Sequence, residues 1–401
     1  MKCNAWTIAL LGAGIVSLPS VTRAEERTNA VLSALSATTI SGYVDTSAQW
    51  NIGNNAGVPT YAFGGVGKAD GFNLNVVKLT LEKALEATDS WSSGYKVDLI
   101  AGPDANTLAT SSSGTSADFG VKQAYVALRA PVGNGLDFKM GVFDTIIGYE
   151  VFENCNNPNF THSYGYTIEP TTHTGLLMSY QFADWISASF GIANTVGPLI
   201  NGRAHLNGTT SLPATGEGPH DEAYKSYMGT VTLTAPESAG AMAGATLTAG
   251  AIGGFNASSA STTAPTPGDQ TSWYVGATLP TPIKGVKVGA SYDYLGIGNQ
   301  YPGTGGWANA AAIYASYQAT EKMSLYLRGE YASSDSTWLL GAERVCAVTT
   351  TLQYDLWKNV LSRLEFRWDH ALDNSEPYGG TTTPGGDNNS YILMANIIYK
   401  F

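Results

Sequence analysis

From residue 40 onward the chain repeats one pattern: segments of about ten residues in which apolar and polar side chains alternate, divided by stretches rich in Gly, Ser, Thr, Asn and Pro. In the last segment Tyr391, Leu393, Ala395, Ile397, Tyr399 and Phe401 make one apolar face. Asn396 and Lys400 fall on the other, mixed with Ile392, Met394 and Ile398. The preceding segment is cleaner, with Leu364, Phe366 and Trp368 opposing Arg363, Glu365, Arg367 and Asp369. Near the start, Ile40, Gly42, Val44, Ala48 and Trp50 oppose Ser41, Tyr43, Asp45, Ser47 and Gln49. A period of two places successive side chains on opposite faces of a strand. It predicts sixteen strands, at 40–50, 70–83, 91–100, 119–130, 136–144, 173–182, 185–193, 223–235, 242–253, 270–280, 286–295, 308–318, 322–333, 343–355, 360–370 and 388–401.

The connections differ sharply in length. Short turns such as 131–135, 183–184 and 319–321 alternate with long polar loops such as 51–69, 101–118, 194–222 and 371–387. An even number of strands, with short turns at one end and long loops at the other, is the pattern of a closed antiparallel transmembrane β-barrel with periplasmic turns and extracellular loops. The physical reason is that a bilayer offers no water to unpaired backbone groups, so strands cross it only when every edge is closed. A soluble sandwich would alternate too, but it accounts poorly for so many long segments with so little charge. Trp50, Trp91, Trp185, Trp273, Trp307 and Trp357 fall near predicted strand ends, where interfacial aromatic girdles sit.

Composition narrows the class further. Charged residues make up 13% of the 401, against about 25% in ordinary soluble domains, while the chain holds 46 glycines and 22 tyrosines. Disorder is excluded by the aromatic content, a helical bundle by the abundance of poor helix formers. The net charge of −11 argues against a nucleic-acid partner. Residues 1–24 read as a signal peptide: Lys2, an apolar run from Ala5 to Leu18, then Thr22-Arg23-Ala24, with cleavage expected after Ala24. Residues 25–39 then form a short periplasmic segment and 40–401 the barrel. Cleavage leaves 19 basic and 32 acidic residues, a net charge near −13, and two cysteines. Cys155 and Cys346 do not make a disulfide framework; one bridge between them stays open.

The stretch 141–175 is distinctive: Gly141-Val142-Phe143, then Gly148-Tyr149-Glu150, Asn157, Asn159, Thr161-His162-Ser163-Tyr164, Glu169-Pro170 and His173-Thr174-Gly175. It resembles the OmpL-like family of β-barrel porins, in which a Gly-x-Phe strand end precedes Gly-x-Glu, Ser/Thr-His-Ser-Tyr and Pro-x-x-His-x-Gly. Gly42-Tyr43-Val44-Asp45 and Gln123-Ala124-Tyr125-Val126 are also similar. The resemblance implies an outer-membrane channel but carries over no solute and no ligand residues. Gly148, His162, Ser163, Tyr164, Pro170, His173 and Gly175 are expected to fold the long third loop, 145–172, which in general porins enters the barrel and narrows it.

That loop carries Glu150, Glu153 and Glu169 and no Lys or Arg. The wall about eight strands away presents Arg328, Arg363 and Arg367 on its inward face. Acidic loop and basic wall would set a transverse field, the way charge rings select ions. Alternatively the arginines pair with Glu330, Glu365 and Asp369 beside them and stiffen the wall. The overall acidity suggests mild cation preference, which local arginines could reverse.

Catalysis by Ser163 and His162 is not expected, because adjacent side chains point apart and no orienting group is evident. No metal or cofactor is expected either; the histidines His162, His173, His205, His220 and His370 show no ligand spacing. Tyr399 and Phe401 end the chain like the C-terminal strand signal read by the barrel-assembly machinery. The expected function is a water-filled porin for small hydrophilic solutes or ions, in contact with outer-membrane lipid, for which a homotrimer is common. The rival is a non-conducting barrel serving adhesion or surface attachment, or sheathing a partner electron-transfer protein.

Overall fold

The computed structural model describes residues 37–401 except 54–58, 60, 65, 87–89, 109, 111–117, 205–223, 258–267, 299–304, 336 and 381–384. The signal-peptide expectation, residues 25–36 of the expected periplasmic segment, and His205 and His220 lie outside the described residues, while Thr39, expected in that segment, opens the first strand.

Sixteen strands hydrogen-bond to their sequence neighbours and close on themselves. They are β1 (Thr39–Ile52), β2 (Gly71–Lys83), β3 (Ser92–Ala101), β4 (Phe119–Ala130), β5 (Leu136–Asp144), β6 (Thr172–Ala183), β7 (Ile186–Ala193) and β8 (Ser226–Thr234). The second half runs β9 (Thr246–Phe255), β10 (Asp269–Pro280), β11 (Val286–Ile297), β12 (Gly306–Gln318), β13 (Met323–Ser334), β14 (Arg344–Trp357), β15 (Val360–Ala371) and β16 (Asn389–Lys400). The predicted strands agree within a few residues. The largest departure is between β8 and β9, where a 3-10 turn at Glu237–Met242 shortens both.

Closure comes from β1 against β16, antiparallel from Tyr43↔Lys400 to Ile52↔Tyr391. Gly42 and Phe401 complete it by exchanging two backbone hydrogen bonds of 3.0 Å. No edge strand remains, so every backbone group in the wall can be satisfied without water.

Alternation decides what each face meets. Phe72, Met140, Ile313, Leu364, Ile397 and Tyr399 project outward and stay exposed, as expected of a lipid-facing surface. The six tryptophans named above are all exposed as well. Cys346 shares the outward face of β14 with the exposed Val348, Leu352 and Tyr354, so it points away from Cys155; both thiols are free. The open question of a bridge is thereby answered in the negative.

Inside the barrel the burial is greater than a water-filled tube would give. Ile392, Met394 and Ile398, the apolar residues on the mixed face of β16, are each at most 1% exposed. Two bulges add to the inward set. One, between β1 and β2 at Asp45/Thr46, coincides with burial of both Asn75 and Val76. The other, between β3 and β4 at Asp98/Leu99, coincides with burial of both Lys122 and Gln123. Short helices α1 (Pro103–Leu108), α2 (Tyr164–Ile168) and α3 (Thr337–Leu340) lie in the long connections.

Candidate functional site

The connection from β5 to β6 starts and ends at one point, where Thr145 N donates to Thr171 O at 2.8 Å. Between those residues the chain runs inside the barrel. Ile146 and Ile147 pack with Phe143, Leu177, Met228 and Ile252 on the near wall. Gly148 then turns with φ +117°, a conformation that disfavours a Cβ. Tyr149 stacks on Tyr314 of β12, centroids 4.2 Å apart, and its hydroxyl meets Thr278 of β10 at 3.0 Å.

Glu150 anchors the loop to the far wall. Its Oε1 lies 2.8 Å from Arg328 Nη1, and its Oε2 accepts from Ser163 N at 2.8 Å. Arg328 is also held by Glu330 Oε2 at 2.7 Å and donates to Thr161 O at 2.6 Å. Burial pushes the Glu150 carboxyl up, and the Arg328 guanidinium opposes that rise.

Glu153 reaches the opposite arc of the wall, pairing with Lys78 of β2 and with Lys122 of β4 at 3.1 Å. Burial would raise its pKa, but the two ammonium groups outweigh burial and hold it at about 2. Next to it, Asn154 Nδ2 donates to Asp45 of β1 at 3.1 Å, while Arg363 Nη2 donates to Asn154 O at 2.6 Å.

The loop returns along β14, β15 and β13. Asn159 donates to Thr351, and the Phe160 and Thr161 amides both donate to the Glu365 carboxylate, at 2.5 and 2.8 Å. Arg367 Nη1 donates to His162 O at 2.7 Å, and its guanidinium lies 4.1 Å from the centre of the Tyr61 ring and 5.1 Å from that of Tyr164. Arg367 also pairs with Asp369 at 2.9 Å.

The motif residues have structural partners. Ser163 caps α2, its Oγ accepting from Tyr166 N. His162 Nε2 lies 2.9 Å from Val151 O and 3.3 Å from Asn157 Nδ2, and burial brings its pKa down to about 3. Tyr164 is fully buried, its amide on Glu330 and its hydroxyl on Asp369. Glu169 and Pro170 close the loop. The Glu169 carboxyl is raised well above the usual range by burial and by hydrogen bonding to Asp293 of β11. His173 bonds Thr145 at 3.2 Å, and Gly175 faces Gly141 across the β5–β6 register.

The geometry differs from the sequence expectation in one respect. Acidic loop and basic wall were expected to face each other across open water; they are in direct contact, with Arg328 and Arg367 at 0% exposure. The neighbouring pairs Arg328–Glu330 and Arg367–Asp369 form as well, whereas Glu365 turns to the loop backbone instead of Arg363. Sequence reasoning missed Lys78, Lys122, Asp45 and Asp293. Their signal was present as charged residues on the inward positions of β2, β4, β1 and β11.

Small side chains let α2 approach. Ala308 and Ala310 of β12, Ala332 of β13 and Ala347 of β14 form one buried cluster with Tyr164 and Ile168. Towards the turn end of the barrel the loop leaves a cavity of about 250 Å³ lined by Cys155, Asn156, Tyr314, Tyr326, Gln353 and Lys287.

A family model described as "Putative beta-barrel porin-2, OmpL-like" matches residues 37–401. No curated protein sequence matches the chain. Among solved structures, the anion-selective porin from Comamonas acidovorans is similar, at TM-score 0.61 and 12% identity, covering 91% of this chain and 99% of that one. Salmonella typhi OmpF in complex with daunomycin superposes at TM-score 0.57 with 13% identity, covering 91% and 97%. The trimer form of Vibrio cholerae OmpT gives TM-score 0.54 and 14% identity over 91% and 99%. At these identities the likeness is one of fold.

Proposed function

This chain belongs to the OmpL-like β-barrel porin family and is an outer-membrane diffusion channel, and from that premise we propose that residues 145–172 are its constriction, held in place by Glu150, Glu153, Glu169, Arg328, Arg363 and Arg367. Small hydrophilic solutes and ions pass by diffusion, and no chemistry is done on them. The observation that carries this reading is the Glu150–Arg328 pair of 2.8 Å, which joins the loop to the wall inside the barrel. A loop tethered on β13, β15, β2 and β4 at once cannot swing aside as a free flap. The six charged residues thus act first as anchors, and they set the channel's width by fixing where the loop lies.

Ser163 and His162 are structural in this reading, since each is engaged within the loop and the two do not bond each other. Recognition of the Tyr399–Phe401 strand end by the barrel-assembly machinery, export by a cleaved 1–24 signal, and a homotrimer belong to the same proposal.

Planar-bilayer recording of the refolded protein tests it. Stable channels whose conductance rises in Arg328→Ala support the reading. Folded barrels that never conduct would overturn it in favour of the adhesion or sheath function.

A further inference from the structure

With the constriction arginines buried against the loop, the charge that faces the open lumen must come from elsewhere. The five strands β6 to β10 contribute none: their single charged residue, Asp269, stands at the outer end of β10. Their half-buried inward positions are hydroxyls such as Ser179, Ser189, Thr230, Thr232, Thr248 and Thr278. Several of these bond one another, Ser179 to Ser189 at 2.8 Å and Thr232 to Thr248 at 3.0 Å.

Charge reappears on β2 to β5. There each carboxylate already has a cation: Asp98 has Lys78 at 3.0 Å, Asp144 has Lys122 at 2.5 Å, Asp137 has Arg129 at 2.5 Å, and Glu82 has Lys96 at 3.5 Å. Lys139 is the inward cation of these strands that none of these pairs uses. It occupies an inward, half-buried position on β5, between Asp137 and Gly141, with its ammonium 5.0 Å from the centre of the Tyr125 ring. Among the described residues no carboxylate lies within the 4.0 Å ion-pair distance of it. A cation–π contact leaves most of an ammonium's positive field intact, so the charge still acts on passing ions. Lys287, exposed at the rim of the cavity below the loop, adds the same sign nearer the mouth.

We propose that Lys139 is the specificity-determining residue of the channel and that it draws small anions into the lumen, although the chain as a whole is acidic. The proposal rests on the diffusion-channel reading and deepens it. The negative balance of the sequence does not decide selectivity, because only charges within about a Debye length, roughly 8 Å, of the permeant ion act on it strongly.

The experiment is the reversal potential of single channels in a KCl gradient. Wild-type channels should favour chloride. Lys139→Gln should lower the chloride-to-potassium permeability ratio about threefold, as expected for one charge removed a few ångströms from the path in water. Lys139→Glu should reverse the sign, and Lys139→Arg should restore the wild-type value. Among the described residues Lys139 is in no ion pair, so none of these variants removes an anchor seen in the fold. Open Lys139→Glu channels with an unchanged reversal potential would overturn this inference alone. Silence from folded wild-type barrels would overturn the channel reading beneath it.

Discussion

Glu150 and Arg328 are 178 positions apart in the chain and meet at 2.8 Å inside the barrel, with both side chains at most 1% exposed. A buried ion pair adds little net stability over an apolar equivalent, but removing one partner leaves an uncompensated charge. Arg328 compensates two carboxylates, Glu150 and Glu330, and satisfies the Thr161 carbonyl.

Arg328→Ala should therefore cost about 3–5 kcal/mol of loop anchoring, more than Glu150→Gln, which keeps a hydrogen-bond acceptor in place. The barrel strands should survive. The expected outcome is a larger, noisier single-channel conductance with a normal strand signal by circular dichroism. Unchanged conductance would show that the loop is held without this residue.

The loop carboxyls respond to pH in opposite directions. Glu169 is raised by burial and by Asp293, so the stability it contributes is complete below the ordinary carboxylate range and is lost as pH rises through its elevated pKa. Glu153 is depressed to about 2, so its contribution is present at neutral pH and lost only on acidification towards that value. Loop anchoring should thus weaken from mildly acidic to alkaline pH, and Glu169→Gln should flatten that dependence, leaving the share of Glu150, which burial also raises. Melting of the folded barrel in detergent across this range checks it; an identical slope in the variant would reject Glu169 as the titrating group.

Reduction should leave the protein unchanged. Cys346 faces outward on β14, while Cys155 lines the cavity below the loop. Melting and conductance should be the same with and without reductant, and a water-soluble maleimide should label Cys155 faster than Cys346. A mobility shift on reduction would contradict the outward placement of Cys346.

The wall was legible in the sequence because its physics is local. Alternation fixes which residues of a strand share a face, and turn composition marks the strand ends. The depth to which the loop enters was not legible in the same way, because it depends on pairs such as Asn159–Thr351 and Thr161–Glu365, 192 and 204 positions apart. Two traces of it were nonetheless visible. Ile392, Met394 and Ile398 sit on the face of β16 that a water-filled lumen should make polar, and they are buried. Ala308, Ala310 and Ala312 make the inward face of β12 unusually small. An apolar or shallow inward face signals that protein, not water, lies against it.

That last trace makes a final prediction. Ala310 is 3% exposed and lies in one cluster with Tyr164 and Ile168 of α2. Enlarging it should act against the loop and not against the wall, since the Ala310 backbone pairs with Asp293 and Ala332 whatever side chain it bears. Ala310→Phe introduces a ring into filled space, at about 1–3 kcal/mol of overpacking. The strain is relieved most simply by lifting α2, which would stretch the Tyr164–Asp369 and Tyr164–Glu330 hydrogen bonds. The variant should fold with wild-type heat-modifiable mobility, yet show increased protease cleavage within 145–172 and an altered conductance. Ala311→Phe is the control, because Ala311 is exposed on the outward face and should change neither quantity. If Ala310→Phe behaves like Ala311→Phe, α2 does not pack on β12 in the membrane.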